Sequence, residues 1–188
     1  MVGIAALWLP ILLGAVAVFI TSSIMHMVLP HHRNDFRKVP DEDGVMRALR
    51  PFDISPGDYA MPYMAPDKAT RESDGFKQKL DQGPLVVMTV MPKGSFTDMM
   101  GKTLGVWFVY CLVVSFFVAY AAELALDRGA DYMVVFRFTG TVAFGFYALG
   151  LWPHNIWFKS STSTAVKSTV DSFVYGLMTA GVFGWLWP

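Results

Sequence analysis

Residues 4–25 read IAALWLPILLGAVAVFITSSIM, twenty-two positions without one charged side chain. A helix rises about 1.5 Å per residue, so this run is long enough for the roughly 30 Å hydrocarbon core of a bilayer. In lipid each backbone N–H and C=O must be satisfied within its own segment, which selects helix over an open strand. No basic region precedes the apolar run, and it is longer than the apolar part of a signal peptide. A retained membrane helix is therefore expected.

Three more runs of this kind follow: LGVWFVYCLVVSFFVAYAAELAL from Leu104 to Leu126, YMVVFRFTGTVAFGFYALGLW from Tyr132 to Trp152, and TVDSFVYGLMTAGVFGWLW from Thr169 to Trp187. The whole chain of 188 residues is 54% hydrophobic and only 16% charged, a balance seldom found in a soluble domain of this length. The expected fold class is an all-α membrane protein with four transmembrane helices. Helix 1 lies within residues 1–29, helices 2–4 within 104–188, and residues 30–103 form a Pro-rich, partly irregular cytoplasmic segment.

Basic residues set the orientation. Eleven of the fifteen lysines and arginines lie between Pro30 and Thr103, whereas the link from Asp127 to Asp131 has only Arg128. The positive-inside rule then places residues 30–103 in the cytoplasm, with Lys159 and Lys167 on the same side and both termini periplasmic. Aromatic belts agree: Trp8, Tyr120, Tyr132, Trp185 and Trp187 at one surface, Trp107, Tyr110, Trp152 and Trp157 at the other. A formal net charge of zero offers no long-range attraction for nucleic acid, so the expected partners are the lipid bilayer and other membrane protein subunits.

Helices in lipid associate through close backbone approach and polar contacts. Ser168, Ser172, Gly176, Ala180 and Gly184 recur every four residues along one face, a packing stripe for another span of this chain or for a partner. Charges inside a span are costly and mark candidate sites. Glu123 and Arg137 flank a short hairpin and are expected to pair, and Asp171 is expected to pair with Lys167 one turn before it.

The segment between spans one and two holds eight of the eleven prolines. Short helices are expected from Pro40 to Leu49 and from Ala69 to Leu80, and a strand from Leu85 to Met91. That strand has no visible mate, so it is expected to extend a partner's sheet. Such a segment buries too little to fold securely alone and needs a surface to lie on.

Three of the four histidines fall in HMVLPHH, residues 26–32. His26 with His154, the fourth, is the best pairing for a haem, and His31, His32 and Asp35 are candidate metal ligands. Against both, consecutive histidines do not share a helix face, and the leading expectation is that the stretch marks a membrane boundary. The lone Cys111 excludes an intrachain disulfide, a CxxCH haem attachment and a thiolate metal site. No nucleophile elbow, HExxH, P-loop or dinucleotide fingerprint is present, so neither an enzyme nor a required cofactor is expected.

The stretch HMVLPHHRNDFRKVPDEDGVMRALRPFDISPGDYAMP after the first span, with FGWLWP at the end of the chain, resembles a family of small bacterial four-helix inner-membrane proteins. The resemblance implies the bacterial inner membrane and brings no assigned activity. The leading functional expectation is a non-catalytic integral membrane subunit or accessory factor of a larger respiratory or photosynthetic complex. The alternatives are a small transporter or channel using Asp171, Arg137 and Glu123, and a haem- or metal-binding membrane redox protein.

Overall fold

In a computed structural model, which describes residues 2–188, the helices are α1 (Trp8–Ser23), α2 (Glu42–Leu49), α3 (Lys68–Glu72), α4 (Asp74–Gln82), α5 (Phe96–Ala125), α6 (Tyr132–Ala148), α7 (Leu151–Phe158) and α8 (Thr162–Leu186). Two strands, β1 (Gly57–Met61) and β2 (Val86–Val90), complete the elements. The chain forms two units, residues 38–95 and the remainder.

The larger unit is a helical bundle. Three of its helical stretches are long and apolar enough to cross a membrane: Ile4–Val28, Thr97–Ala125 and Tyr132–Phe158. The first is not uniform, for a 3₁₀ turn (Ile4–Leu7) leads into α1 and a π-helical turn (Ile24–Val28) ends it. The third breaks between Ala148 and Leu151, inside the run expected to be continuous. Gly150 weakens the helix there, and Pro153 has no N–H to return to the carbonyl of Leu149. The fourth apolar run lies in α8, whose 25 residues are long enough to span, but Lys167, Asp171 and several hydroxyl residues make its first half polar.

The small-residue stripe of α8 finds its partner within the chain. α8 packs most extensively on α6, and α1 lies against both α5 and α8. At the crossing, Gly140 faces Gly176: a Cβ on Gly176 would lie 3.0 Å from the Gly140 carbonyl oxygen, and one on Gly140 would lie 3.0 Å from Ala180 Cβ. A Cβ on Gly184 would meet the Tyr132 ring at 2.7 Å. Ser172, Gly176 and Ala180 are buried, and Ser168 contributes its carbonyl to the Ser172 hydroxyl at 2.7 Å. The adjoining core is built from Leu7, Val18, Cys111, Val118, Val135, Ala143 and Phe183.

In residues 38–95, β1 and β2 form an antiparallel pair running from Gly57 opposite Val90 to Met61 opposite Val86. The strand expected to lack a mate therefore has one. GDYAM is short, carries little alternation and sits between Pro56 and Pro62, which hides it as a strand. The helix expected over Ala69–Leu80 splits at Ser73, whose extended backbone ends α3 and whose hydroxyl caps α4 by accepting from the Phe76 N–H at 3.3 Å. No residue of this unit is fully buried.

Candidate metal site at the end of α1

Four elements of sequence place six polar side chains together. The π-helical turn carries His26, and its last bond runs from the Leu29 N–H to the Ile24 carbonyl at 3.1 Å. Pro30 then opens a 3₁₀ turn, Pro30–His32, fitting the residue's fixed φ and missing N–H. This turn projects His31 and His32, and the next, closed by Asp35 N–H on the His32 carbonyl at 3.1 Å, brings Asp35 beside His32. On α8, Lys167 and Asp171 are four residues apart and share a face.

Asp171 is the centre, with its side chain only 2% exposed. Its Oδ2 lies 2.5 Å from His32 Nε2 and 3.9 Å from His26 Nε2, while Oδ1 lies 3.1 Å from His31 Nε2. The His26 and His32 rings stack at 4.2 Å and 11°, so both Nε2 atoms face the same carboxylate oxygen. One ligand atom each from His26, His32 and Asp171 falls within 4.8 Å of the others.

The outer partners settle which ring nitrogens point inward. His26 Nδ1 donates to the Ser22 carbonyl at 3.1 Å, since a carbonyl can only accept, and this leaves the Nε2 lone pair for the centre. His32 Nδ1 is held by Asp35 Oδ2 at 2.5 Å, and Lys167 Nζ donates to Asp35 Oδ1 at 2.8 Å. A carboxylate or carbonyl behind each imidazole is the arrangement that orients metal-binding histidines and raises their basicity. Trp107 of α5 fixes the base of the site by donating to Ser22 Oγ at 2.8 Å. Exposure rises from Asp171 through His32 (10%) to His31 (32%) and His26 (50%), which leaves a route of approach from the histidine side.

Without a metal the same groups form a balanced ionic chain, Lys167–Asp35–His32–Asp171. Burial disfavours a charged His32, but its hydrogen bonds to Asp35 and Asp171 and their negative charge outweigh it and raise its pKa above the ordinary 6.5. Burial likewise opposes ionisation of Asp35, yet Lys167 and His32 together hold its pKa below the ordinary 3.8. A raised histidine stabilises the fold below its unfolded value, and a lowered carboxyl stabilises it above its own. Thermal unfolding of the metal-free protein is expected to show its highest midpoint between about pH 4 and about pH 6.5. The midpoint falls in acid as Asp35 protonates, and falls again above that window as His32 loses its proton. Equal midpoints at pH 5.5 and pH 8.5 would contradict this.

The expected site residues fare unequally. His26, His31, His32 and Asp35 come together, and Asp171 joins them in place of the pairing with Lys167 expected for it; Lys167 binds Asp35 instead. His154 is not in the group formed by His26, His32 and Asp171 among the described residues; its ring lies 4.8 Å from that of Phe158, tilted by 46°. Glu123 and Arg137 make no ion pair among the described residues. Asp171 is the member of the cluster that local spacing conceals, although a lone acid one turn inside a span, at the same expected depth as three histidines, is itself a signal.

No family model, no curated protein and no solved structure matches this chain. The chemistry of the site must be read from its own atoms.

Proposed function

We propose that this is a four-span protein of the bacterial inner membrane that binds one divalent transition-metal ion at the boundary between α1 and α8. His26 Nε2, His32 Nε2 and the Asp171 carboxylate are the ligands, and His31 is placed to supply a fourth. The observation that carries the reading is the convergence of these ligand atoms on a buried carboxylate, with a backing acceptor on the Nδ1 of both His26 and His32. An imidazole and carboxylate set without thiolate suits zinc or a neighbouring first-row ion and is a poor match for copper(I) or an iron–sulfur cluster. In this reading α8 is the fourth span, both termini are periplasmic, and the metal lies at the cytoplasmic surface, where Arg33, Arg37 and Lys38 follow the site.

The test uses the full chain in mild detergent, stripped with chelator and titrated with zinc and, separately, with cobalt(II). Binding of one ion per chain and the visible bands of tetrahedral cobalt are expected. No binding above that of a His32→Ala, Asp171→Ala double variant would overturn the assignment and leave the ionic chain as a purely structural clasp.

A second reading, membership of a larger membrane assembly, is favoured by residues 38–95. A unit with a two-stranded sheet and no fully buried residue has no core of its own to hold it. Recovery of a stable larger complex from the native membrane supports this reading, and a partnerless chain opposes it.

A further inference from the structure

We infer that a groove on α6 is a binding site for one anionic phospholipid, with the headgroup phosphate on Arg137. The groove, about 490 Å³, is lined by Leu126, Val134, Arg137, Phe138, Thr141 and Val142 and has the size of a small-ligand site. It lies on a helical stretch apolar enough to cross a membrane. Arg137 is exposed, and no carboxylate lies within ion-pairing distance of it among the described residues. The nearby Asp131 is engaged elsewhere, capping α6 by accepting from the Met133 N–H at 2.9 Å.

An arginine on the lipid-facing side of a span requires an anion or water. Arg137 sits five residues into α6, about 7.5 Å below its start at Tyr132, within reach of the headgroup layer for a snorkelling arginine. The anion that this location offers is a lipid phosphate, which a planar guanidinium can bind through two N–H groups. One turn deeper the groove is apolar: the Thr141 hydroxyl is consumed by the Arg137 carbonyl at 2.7 Å, and Phe138 and Val142 complete the wall. A cation above an apolar trough selects a ligand with an anionic head and a hydrocarbon tail.

The experiment is native mass spectrometry of the full-length protein from mild detergent, titrated with phosphatidylglycerol or phosphatidylcholine. One phosphatidylglycerol per chain is expected, held about tenfold more tightly than phosphatidylcholine. Arg137→Gln should remove that preference without changing the thermal midpoint, and Arg137→Lys should restore part of it. Thr141→Trp, which fills the trough and leaves the charge, should weaken both lipids alike. Equal binding of the two lipids, a preference that survives Arg137→Gln, or selective retention of a free fatty acid would each overturn the proposal.

Discussion

Replacing Asp171 by alanine is expected to lower zinc affinity by at least about 100-fold, as read by competition with a chelating dye. Loss of an outer partner of a metal ligand costs roughly 10–100-fold, and Asp171 is proposed as a ligand itself, at the point where three imidazoles meet. His32→Ala should match it, and Asp35→Asn should fall within the smaller range because its carboxylate binds His32 Nδ1 and Lys167 behind the centre. His154→Ala should leave affinity unchanged, for that residue is not one of the grouped ligand residues and its ring lies against Phe158. Thermal stability provides an independent readout. An ion at 100 times its dissociation constant stabilises the folded state by about 2.7 kcal/mol, and this increment should vanish in Asp171→Ala. If Asp171→Ala and His154→Ala bind zinc equally well, the ion is held elsewhere.

The second large effect is expected at the crossing of α6 and α8. Gly176→Leu places a branched side chain where even a Cβ would be 3.0 Å from the Gly140 carbonyl oxygen and 3.4 Å from the Phe144 backbone nitrogen. Those atoms belong to the backbone of a facing helix and cannot rotate aside. Overpacking of this kind costs about 1–3 kcal/mol, and the upper end is expected because the whole contact must separate. Unfolding in mixed detergent should shift accordingly. Gly181→Leu, where a Cβ meets nothing within 4 Å, is the matched control on the same helix. A shift of equal size in both variants would show that leucine in α8 is harmful for some other reason.

The apolar runs located the helices because burial in lipid is a property of each segment alone. Details set by a single residue were harder to see. Gly150 and Pro153 were both visible, yet the hydropathy of the run masked the break they cause. β1 escaped because two prolines framed five residues with little pattern, whereas β2, VVMTV, carried enough β-branched residues to be recognised. The histidine stretch stood out by composition, and Asp35 by proximity. Asp171 could not be joined to them by spacing, since it bonds His32 across 139 residues of sequence. That contact depends on which faces α1 and α8 present where they meet, and helix register is a tertiary quantity. The small-residue stripe came close to specifying it, because the face carrying Gly176 also fixes where Asp171 points.

The π-helical turn at Ile24–Val28 sets a rule about chain length as distinct from chemistry. It takes up an extra residue within the site itself, and removing a residue ahead of His26 would rotate that ring by roughly 100° about the helix axis, away from Asp171. Side chains here can be exchanged one for another far more safely than the count of residues can be altered. As this sequence diverges, deletions and insertions should collect between positions 38 and 95, and the interval from 24 to 35 should keep its length even where its letters drift.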